Sequence, residues 1–346
     1  MENIKFDTVL VVGGFGFLGS HIVQRLLSGN HATKIVITSR NAQETDPRAQ
    51  FYACDITSRD AVSALFEDLK PQVVIHTVSP PPRSKASGLR RVNVDGTNNL
   101  LYAAKSCPAT RAFIYTSSDS AMHPAPFKAI TEAEAILYTR AHSPNAYSLT
   151  KALADAAVLA ANAADLRTAT LRVPMIYGER DTGYLPQVVA SIRAGQHMQQ
   201  AGPNEKVFSV LYAESAAHAH ILAAHALVTG SAGADGQAFF ITDGEPMPFF
   251  DFYRKCCAAA GHAVRKEDVK VNPFWMVKAI ASAGEWLYWV ATLGTKTPKL
   301  RRDDIEVLDR GCWWNDEKAR RVLGFENVLG MDEAVKRTME WGMKEY

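Results

Sequence analysis

Apolar and polar positions follow two alternating patterns along the first half of the chain. Short, mostly apolar runs recur at intervals, and they read TVLVV, KIVIT, FYACDI, QVVIHTV, RAFIYTSS and TATLRV. Longer amphipathic stretches between these runs predict helices at 20–27, 60–69, 94–105 and 147–164. Continuous apolar strands separated by helices are typical of a parallel sheet that is covered on both faces. The pattern therefore predicts a doubly wound α/β fold for residues 1–174.

The alternation loosens over residues 175–346. A Pro/Gly-rich stretch precedes an Ala/His-rich helical segment at 214–228, the strand-like run AFFIT and a mixed C-terminal part that contains all six tryptophans. Aromatic enrichment of this kind suits a pocket or lid for a bulky apolar ligand, although aromatic residues also fill cores. We predict a smaller substrate-binding region here, together with late elements that return to the core of the first domain.

One segment of this region, residues 273–293, is unusually apolar and aromatic. Lys278 and Glu285 interrupt it, so it contains no uninterrupted run of the ~18 apolar residues that a membrane-spanning helix needs. Two interpretations stay open. The segment forms a helix at a membrane surface or beside the substrate, or it packs into the core or a dimer interface.

Composition and charge restrict the kind of partner. Hydrophobic residues make up 47% of the chain, charged residues make up 21%, and the net charge is only +2. A chain without a strong field or a basic block does not attract nucleic acid, so we expect a small-molecule substrate. The five cysteines are scattered, which indicates free thiols, and the N-terminus lacks the features of a signal peptide. We expect a cytoplasmic protein, and the segment at 273–293 is compatible with peripheral contact to an intracellular membrane.

A glycine-rich turn follows the first predicted strand. Residues 9–22 read VLVVGGFGFLGSHI, in which the turn and the start of the next helix comprise Gly13, Gly14, Phe15, Gly16, Phe17, Leu18 and Gly19. Glycines at this spacing permit a tight turn and bring the backbone close to a pyrophosphate, which the N-terminus of the following helix attracts. Its position between a strand and a helix predicts a dinucleotide site of the Rossmann type.

The residues after the second strand decide which adenosine ribose is bound. An Asp or Glu there binds the 2′-hydroxyl of NAD, whereas an Arg accommodates the 2′-phosphate of NADP. This chain has Thr38, Ser39 and Arg40 at that place. The local residues therefore admit NADP, unless Arg40 is only a solvated loop residue. Later strand ends supply the other expected cofactor contacts, which are Asp55, Ile56, Thr77, Val78 and Ser79.

A tyrosine and a lysine four residues apart carry the predicted chemistry. Tyr147 and Lys151 share one helix face, and an ammonium beside a phenol lowers the pKa of the phenol, so that Tyr147 can exchange a proton with a substrate hydroxyl. Ser118 ends the run FIYTSS and can hold the reacting oxygen. Thr116 and Ser117 are the alternatives for that serine role, because adjacent strand positions face opposite sides. No metal site is predicted, since His218 and His220 do not share a helix face.

These motifs resemble a known family. GGFGFLG, NVDGT, FIYTSS, YSLTK and RVPMIYG are similar to extended short-chain dehydrogenases/reductases. IHTVSPPP, AESAAHAHILAAHAL and WWNDEKARRVLGF resemble the 3β-hydroxysteroid dehydrogenase branch and its fungal relatives, the sterol-4α-carboxylate 3-dehydrogenases. The resemblance implies that Tyr147 is the acid/base, that Lys151 also holds the nicotinamide ribose and that Ser118 positions the oxygen. It further implies that Pro174 and Ile176 flank the nicotinamide.

The chain departs from this branch at two places. The branch generally has an acid after the second strand and uses NAD, and this chain has no acid there. Asp119 and Met122 replace smaller residues after the serine strand, which points to an altered substrate pocket. The predicted substrate contacts are Ser79, Asp119, Met122 and Tyr184.

The expected activity is oxidation of a 3β-hydroxyl on a steroid- or terpenoid-like polycycle to a ketone, with decarboxylation or isomerisation as open further steps. NAD is favoured over NADP, because alcohol oxidation draws on the oxidised pool. A homodimer is the expected assembly. Three alternatives are a reductase of a smaller or phenolic carbonyl, a nucleotide-sugar epimerase and a non-catalytic dinucleotide-binding protein. Met175 argues against the epimerase, because those relatives place an Asn nearby and a thioether cannot donate its hydrogen bond.

Overall fold

The computed structural model describes residues 5–41, 46–292, 305, 308 and 310–346. In chain order its strands are β1 (Phe6–Val12), β2 (Ala32–Ser39), β3 (Ala49–Ala53), β4 (Val73–His76), β5 (Ala112–Ser118), β6 (Ala125–Ile130), β7 (Arg167–Val173), β8 (Met175–Tyr177), β9 (Gln199–Ala201), β10 (Val207–Phe208), β11 (Val210–Tyr212), β12 (Gln237–Phe240), β13 (Met247–Pro248), β14 (Lys270–Asn272) and β15 (Cys312–Trp314).

One long helix is a composite of α-helical and π-helical pieces. A π-helical turn at Arg90–Gly96 joins two α-helical pieces, so the predicted helix at 94–105 begins earlier than its pattern indicates. The α-helices are α1 (Phe17–Ser28), α2 (Arg59–Leu69), α3 (Ala86–Leu89), α4 (Thr97–Ser106), α5 (Ala146–Ala160), α6 (Leu185–Arg193), α7 (Ala213–Thr229), α8 (Phe249–Ala259), α9 (Phe274–Thr292), α10 (Glu317–Leu323) and α11 (Met331–Glu345).

Seven strands form the central sheet in the order β12-β7-β5-β4-β1-β2-β3, and every neighbouring pair is parallel. Val12 is in register with Thr38 of β2 and with His76 of β4, so these three strands end at one edge. The strand order reverses on either side of β1, and such a switch point is where parallel α/β sheets bind ligands. The predicted doubly wound fold is confirmed.

Helices cover the sheet on both faces, as the continuous apolar strands require. Val9 and Val11 of β1 belong to one hydrophobic cluster, whereas Leu10 and Val12 belong to another. Because successive side chains of a strand point to opposite faces, the two clusters are the cores on the two sides of the sheet. The first contains α7 residues, and the second contains α5 residues such as Ala154.

Two elements from the second half of the chain, β12 and α7, belong to the central sheet and to the helices that cover it. β12 pairs with β7 at the sheet edge, and α7 packs beside α1 on the same face. A second, mixed sheet has the order β13-β10-β15-β6 and lies outside the parallel sheet. The predicted division at residue 174 stays a prediction.

The apolar segment predicted at 273–293 forms α9, and residue 293 itself lies outside the described residues. Ala281 is the one buried residue of this helix, while Trp275, Trp286 and Trp289 are 72%, 65% and 61% exposed. Packing into the core of this chain is therefore the wrong interpretation of the segment. Among the described residues, no helix is both long enough and apolar enough to cross a membrane.

Candidate active site

The glycine-rich turn after β1 has no room for side chains. Gly13 has a φ of +90°, and a Cβ there would lie 2.7 Å from a Val78 methyl carbon and 2.9 Å from the Thr77 hydroxyl. A Cβ on Gly19 would lie 2.1 Å from the Gly13 carbonyl oxygen. The glycines thus let the turn, the start of α1 and the end of β4 approach one another, as close binding of a pyrophosphate demands.

The start of α1 is open to an anion. Gly16 is the N-cap residue, no side chain caps the helix, and no acidic residue lies in the first turn. Helix N–H groups without a protein acceptor, together with the helix dipole, bind phosphate. Leu18 is buried in the core and Phe15 packs near the ring of Phe51, so these side chains point away from that backbone surface. Phe17 and Gly14 complete the turn, and this cradle fits a dinucleotide.

The residues predicted to contact the adenosine follow β2 and β3. Thr38 is buried, and its hydroxyl donates to the Tyr52 carbonyl at 2.9 Å, so its side chain links β2 to β3 within the sheet. Ser39 is half-buried, and Arg40 is exposed. The backbone N–H of Thr57 lowers the pKa of Asp55, and the charge of Arg40 contributes in the same direction. Ile56 is buried beside Asp55, and its carbonyl accepts from Asn99.

Tyr147 sits in the first turn of α5. Asn145 caps this helix by accepting from the Ser148 N–H at 2.9 Å. The Tyr147 hydroxyl lies within hydrogen-bonding reach of the Ser118 and Ser79 side chains, which come from the ends of β5 and β4. The sequence-predicted tyrosine, serine and Ser79 are therefore brought together at the sheet edge.

The pKa of Tyr147 differs from the sequence-based expectation. Burial raises it above the usual value, the bonds to Ser118 and Ser79 lower it, and the negative charge of Asp119 raises it further. The expected lowering by Lys151 is not among the causes of the shift: the lowering comes from Ser118 and Ser79, and removal of the phenol from water outweighs it.

Lys151 lies one turn after Tyr147 and is almost fully buried. Its Nζ donates to the Thr116 carbonyl at 2.6 Å and lies 4.4 Å from the centre of the Tyr115 ring. Burial lowers the pKa of Lys151 to about 7, and the charge of Asp155 opposes this shift. The ammonium and neutral forms thus interconvert near neutral pH.

The structure distinguishes Ser118 from its two rivals. The Thr116 hydroxyl is bonded to the His220 ring at 2.8 Å, and the Ser117 hydroxyl is buried without a hydrogen-bond partner. Ser118 instead accepts from the Ser120 N–H at 3.2 Å, donates to Asp119 at 3.4 Å and faces Tyr147. Ser118 is the one of the three whose hydroxyl adjoins the phenol.

The remaining predicted residues divide into two groups. Asp119 adjoins Ser118, and burial raises its pKa, while hydrogen bonds from Cys312, Trp314 and neighbouring serines oppose the shift. Pro174 is buried and Ile176 is half-buried where β7 leads into β8. In contrast, Met122 is 2% exposed within a cluster that includes Phe240 and Trp314, and Tyr184 packs on Phe252. Substrate contact by Met122 or Tyr184 stays a prediction.

Two contacts near the site were not predicted from the sequence. His220 is bonded to Thr116, and Arg172 pairs with Asp155 at 2.9 Å inside the protein. Both link residues that are far apart in the sequence or lie on different layers. The spacing of residues along one element gives no signal for such pairs.

Comparison with protein families and relatives identifies one matching family and several similar enzymes. The model of the 3-beta hydroxysteroid dehydrogenase/isomerase family matches residues 10–271. A sterol-4-alpha-carboxylate 3-dehydrogenase, decarboxylating, of Gibberella zeae is 45% identical over 84% of this chain and 97% of its own length. The enzyme of the same name from Schizosaccharomyces pombe is 32% identical over 98% of both chains.

Solved structures share the fold at low sequence identity. A UDP-glucose 4-epimerase of Thermotoga maritima, solved with UDP-glucose, has a TM-score of 0.73 at 19% identity and covers 97% of this chain and 99% of its own. A dTDP-glucose 4,6-dehydratase of Bacillus anthracis, solved with NAD, has the same TM-score and identity over 98% of this chain and 97% of its own. At these identities the likeness extends to the fold alone.

Proposed function

Because the chain belongs to the 3-beta hydroxysteroid dehydrogenase/isomerase family, we propose that it oxidises the 3β-hydroxyl of a sterol-like polycycle to a ketone. The observation that carries this proposal is the position of the Tyr147 hydroxyl beside Ser118, one helical turn before Lys151, at the ligand-binding edge of the sheet. Its relatives named sterol-4-alpha-carboxylate 3-dehydrogenases support the substrate class.

The chain's own residues handle the proton and the oxygen. A bound nicotinamide dinucleotide supplies the acceptor for the hydride that leaves the carbinol carbon. Ser118 holds the substrate oxygen, Tyr147 as phenolate takes the hydroxyl proton, and the Lys151 ammonium stabilises that phenolate. Lys151 is also proposed to hold the nicotinamide ribose, and Pro174 and Ile176 to flank the ring. Lys151 is almost fully buried, which strengthens any charge interaction that its ammonium makes.

We propose decarboxylation as the step that follows when the substrate carries a carboxylate on the carbon next to the new ketone. The bond to the carboxyl carbon breaks, carbon dioxide leaves, and its electron pair moves onto the ketone oxygen. In this step the Ser118 and Tyr147 hydroxyls donate to that oxygen and stabilise the enolate, which then takes a proton from water to give the ketone. The word "decarboxylating" in the names of the relatives favours this outcome over isomerisation.

NAD is the proposed cofactor. Alcohol oxidation draws on the oxidised pool, and the WbmH enzyme of Bordetella bronchiseptica, similar in fold with a TM-score of 0.72 at 16% identity over 98% of both chains, was solved with NAD+. The absence of an acid after β2 and the exposed Arg40 keep NADP as the competing choice.

We further propose that the outward face of α9 rests on a lipid surface from which the substrate is taken. Its exposed stripe is apolar along its length and comprises Trp275, Ala279, Ile280, Ala283, Trp286, Leu287, Trp289 and Val290. Lys278 and Glu285 are half-buried and lie outside that stripe. Tryptophan is enriched where membranes meet water, and an apolar polycycle partitions into lipid. The homodimer stays a prediction.

The deciding experiment is turnover of a 4α-carboxy-3β-hydroxysterol with NAD and, separately, with NADP. Mass spectrometry should find the decarboxylated 3-ketone and one reduced cofactor for each product formed. A matched 3β-hydroxysterol without the carboxylate should give the 3-ketone without loss of carbon. Release of a 3-hydroxy epimer, or no reduced cofactor with either sterol, would contradict the proposal.

A further inference from the structure

Thr116 connects two helices that lie on opposite faces of the central sheet. Lys151 belongs to α5, whose apolar residues pack in the same cluster as Leu10. His220 belongs to α7, whose apolar residues pack in the other cluster. The Thr116 carbonyl contacts Lys151, and its side chain contacts His220, so a single strand residue bridges the two layers.

The three contacts are short and shielded from water. The Lys151 Nζ donates to the Thr116 carbonyl at 2.6 Å, the Thr116 Oγ1 lies 2.8 Å from the His220 Nε2, and the His220 Nδ1 lies 2.7 Å from the Ala216 carbonyl. Lys151 is 3% exposed, Thr116 is 8% exposed and His220 is fully buried. Polar contacts in such an environment are stronger than at the surface.

The direction of each bond follows from chemistry. Burial lowers the pKa of His220 to about 4, so the imidazole is neutral at working pH and carries one N–H. The Ala216 carbonyl can only accept, so the His220 Nδ1 is the donor and its Nε2 must accept from the Thr116 hydroxyl. The ring has one tautomer and one orientation that satisfy both partners.

We infer that His220 is a positioning residue for Lys151 and acts through Thr116. By fixing the Thr116 side chain, it fixes the residue whose carbonyl takes one of the three ammonium N–H groups of Lys151. The inference rests on the proposed function, in which the other two N–H groups serve Tyr147 and the cofactor ribose.

The place of Thr116 in the sheet explains why a hydrogen bond that restrains its side chain is useful. β4 ends at His76, which pairs with Tyr115, so Thr116 lies one residue beyond the last pair with β4. It keeps a strand partner only on the other side, where it is paired with Leu171 of β7. The bond to His220 restrains a strand end that the sheet holds on one side.

Other charged and titratable groups around Lys151 and Tyr147 stay in place in the variants below. Asp155 lies one turn after Lys151 and pairs with Arg172 of β7, and the rings of His76 and Tyr115 come from β4 and β5. Asp119 faces Tyr147 from the end of β5. A change in the pH dependence of kcat/KM can therefore be assigned to the hydrogen bond between Thr116 and His220.

The test compares Thr116→Val, Thr116→Ser and His220→Phe with the control His225→Phe. Valine keeps the shape of threonine without its hydroxyl, and serine restores the hydroxyl. His225 lies on the same helix but packs on Phe6 and His31. Affinity for NAD is measured by calorimetry without substrate, folding by circular dichroism and melting temperature, and turnover across pH.

We expect Thr116→Val and His220→Phe to weaken NAD binding about tenfold, because a displaced Lys151 ammonium loses its hydrogen bond to the cofactor ribose. Thr116→Ser and His225→Phe should stay within twofold of the unaltered protein. In turnover, kcat/KM should fall by up to about 100-fold. Its acid limb should move to higher pH, because a displaced ammonium stabilises the Tyr147 phenolate less.

Unchanged NAD affinity and an unmoved acid limb in a folded Thr116→Val protein would overturn the inference, even if its melting temperature fell. Should His220→Phe fail to fold, the comparison of Thr116→Val with Thr116→Ser decides. Because NAD binding needs no substrate, failure of the sterol assay with an intact pattern of NAD affinities would count against the proposed function only.

Discussion

The indole Nε1 of Trp314 donates a hydrogen bond to the Asp119 carboxylate across 3.3 Å. Trp314 belongs to β15 near the C-terminus, and Asp119 directly follows Ser118 in the chain. The second sheet therefore touches the candidate active site through the carboxylate whose negative charge raises the pKa of Tyr147. The charge of Asp119 itself thus acts on the proton acceptor, beside any contact with substrate. Burial raises the pKa of Asp119, and the bond from Trp314 opposes that shift and so favours the charged form.

Replacement of that carboxylate should make Tyr147 easier to ionise. In Asp119→Asn the negative charge near the phenol is removed, so the pKa of Tyr147 falls and the acid limb of kcat/KM for alcohol oxidation moves to lower pH. The pH profile of the oxidation checks this. Ser120→Ala is the control, since it removes a neighbouring hydroxyl but no charge. An acid limb that moves to higher pH in Asp119→Asn would contradict the assignment.

Loss of the Tyr147 hydroxyl should abolish most turnover and leave cofactor binding intact. Positioned acid/base groups contribute about 10²–10⁴-fold, so kcat of Tyr147→Phe should fall within that range. The affinity for NAD, measured by calorimetry, should stay within about threefold. Tyr102→Phe is the matched control, because it removes the hydroxyl of an exposed tyrosine on α4 outside the candidate site, and we expect near-normal turnover. Turnover of Tyr147→Phe within threefold of the unaltered protein would exclude Tyr147 as the acid/base.

The sequence predicted the parallel sheet and the residues at its edge well, because both depend on local patterns. The alternation of apolar strands with helices, the glycine spacing after β1 and the four-residue spacing of Tyr147 and Lys151 are all visible within one element. The start of the helix predicted at 94–105 is wrong, since the helix begins earlier and continues through a π-helical turn at Arg90–Gly96 without a separate apolar pattern.

Contacts between layers could not be predicted in this way. Nothing in the spacing of α7 indicates that the His220 ring reaches Thr116 on β5. The pKa of Tyr147 is raised rather than lowered because burial dominates, and burial depends on the packed structure. Such effects require the three-dimensional arrangement.

The response to Arg40→Ala should show whether Arg40 distinguishes the two cofactors. If Arg40 contacts a 2′-phosphate, Arg40→Ala will weaken NADP binding at least about tenfold and leave NAD nearly unchanged, since a charge-assisted bond is lost with one cofactor only. Because NAD is the proposed cofactor, we expect Arg40→Ala to change the affinities for NADP and for NAD by similar, small factors, measured by calorimetry. Arg48→Ala, which removes the exposed partner of Asp46, controls for general loss of positive charge.

Removal of the buried cation beside the catalytic helix should destabilise the fold. Arg172 and Asp155 form two hydrogen bonds at 2.9 and 3.0 Å, and both side chains are almost completely buried. Arg172→Met leaves the carboxylate without its partner, which costs about 3–5 kcal/mol in the free energy of unfolding. Denaturant titration measures this loss. The double variant with Asp155→Leu should recover much of it, and equal stability of the single variant and the unaltered protein would contradict the prediction.

The exposed stripe of α9 should bind lipid and deliver bulky substrates. Trp286→Ala and Trp289→Ala each remove a large exposed aromatic side chain, so co-sedimentation with phosphatidylcholine vesicles should fall and the KM for polycyclic alcohols in vesicles should rise. A small water-soluble alcohol and NAD should bind as before, because neither depends on the lipid surface. Tyr102→Ala is the control, since Tyr102 is 50% exposed on α4, beneath Arg59 and outside this stripe.

A different set of results would identify α9 as a subunit interface. The tryptophan variants would then lose a dimer in light scattering, and a lower melting temperature would accompany equal losses with both alcohols. Because the stripe is exposed in the single chain, its variants should fold normally under the lipid hypothesis, and the two outcomes are separable.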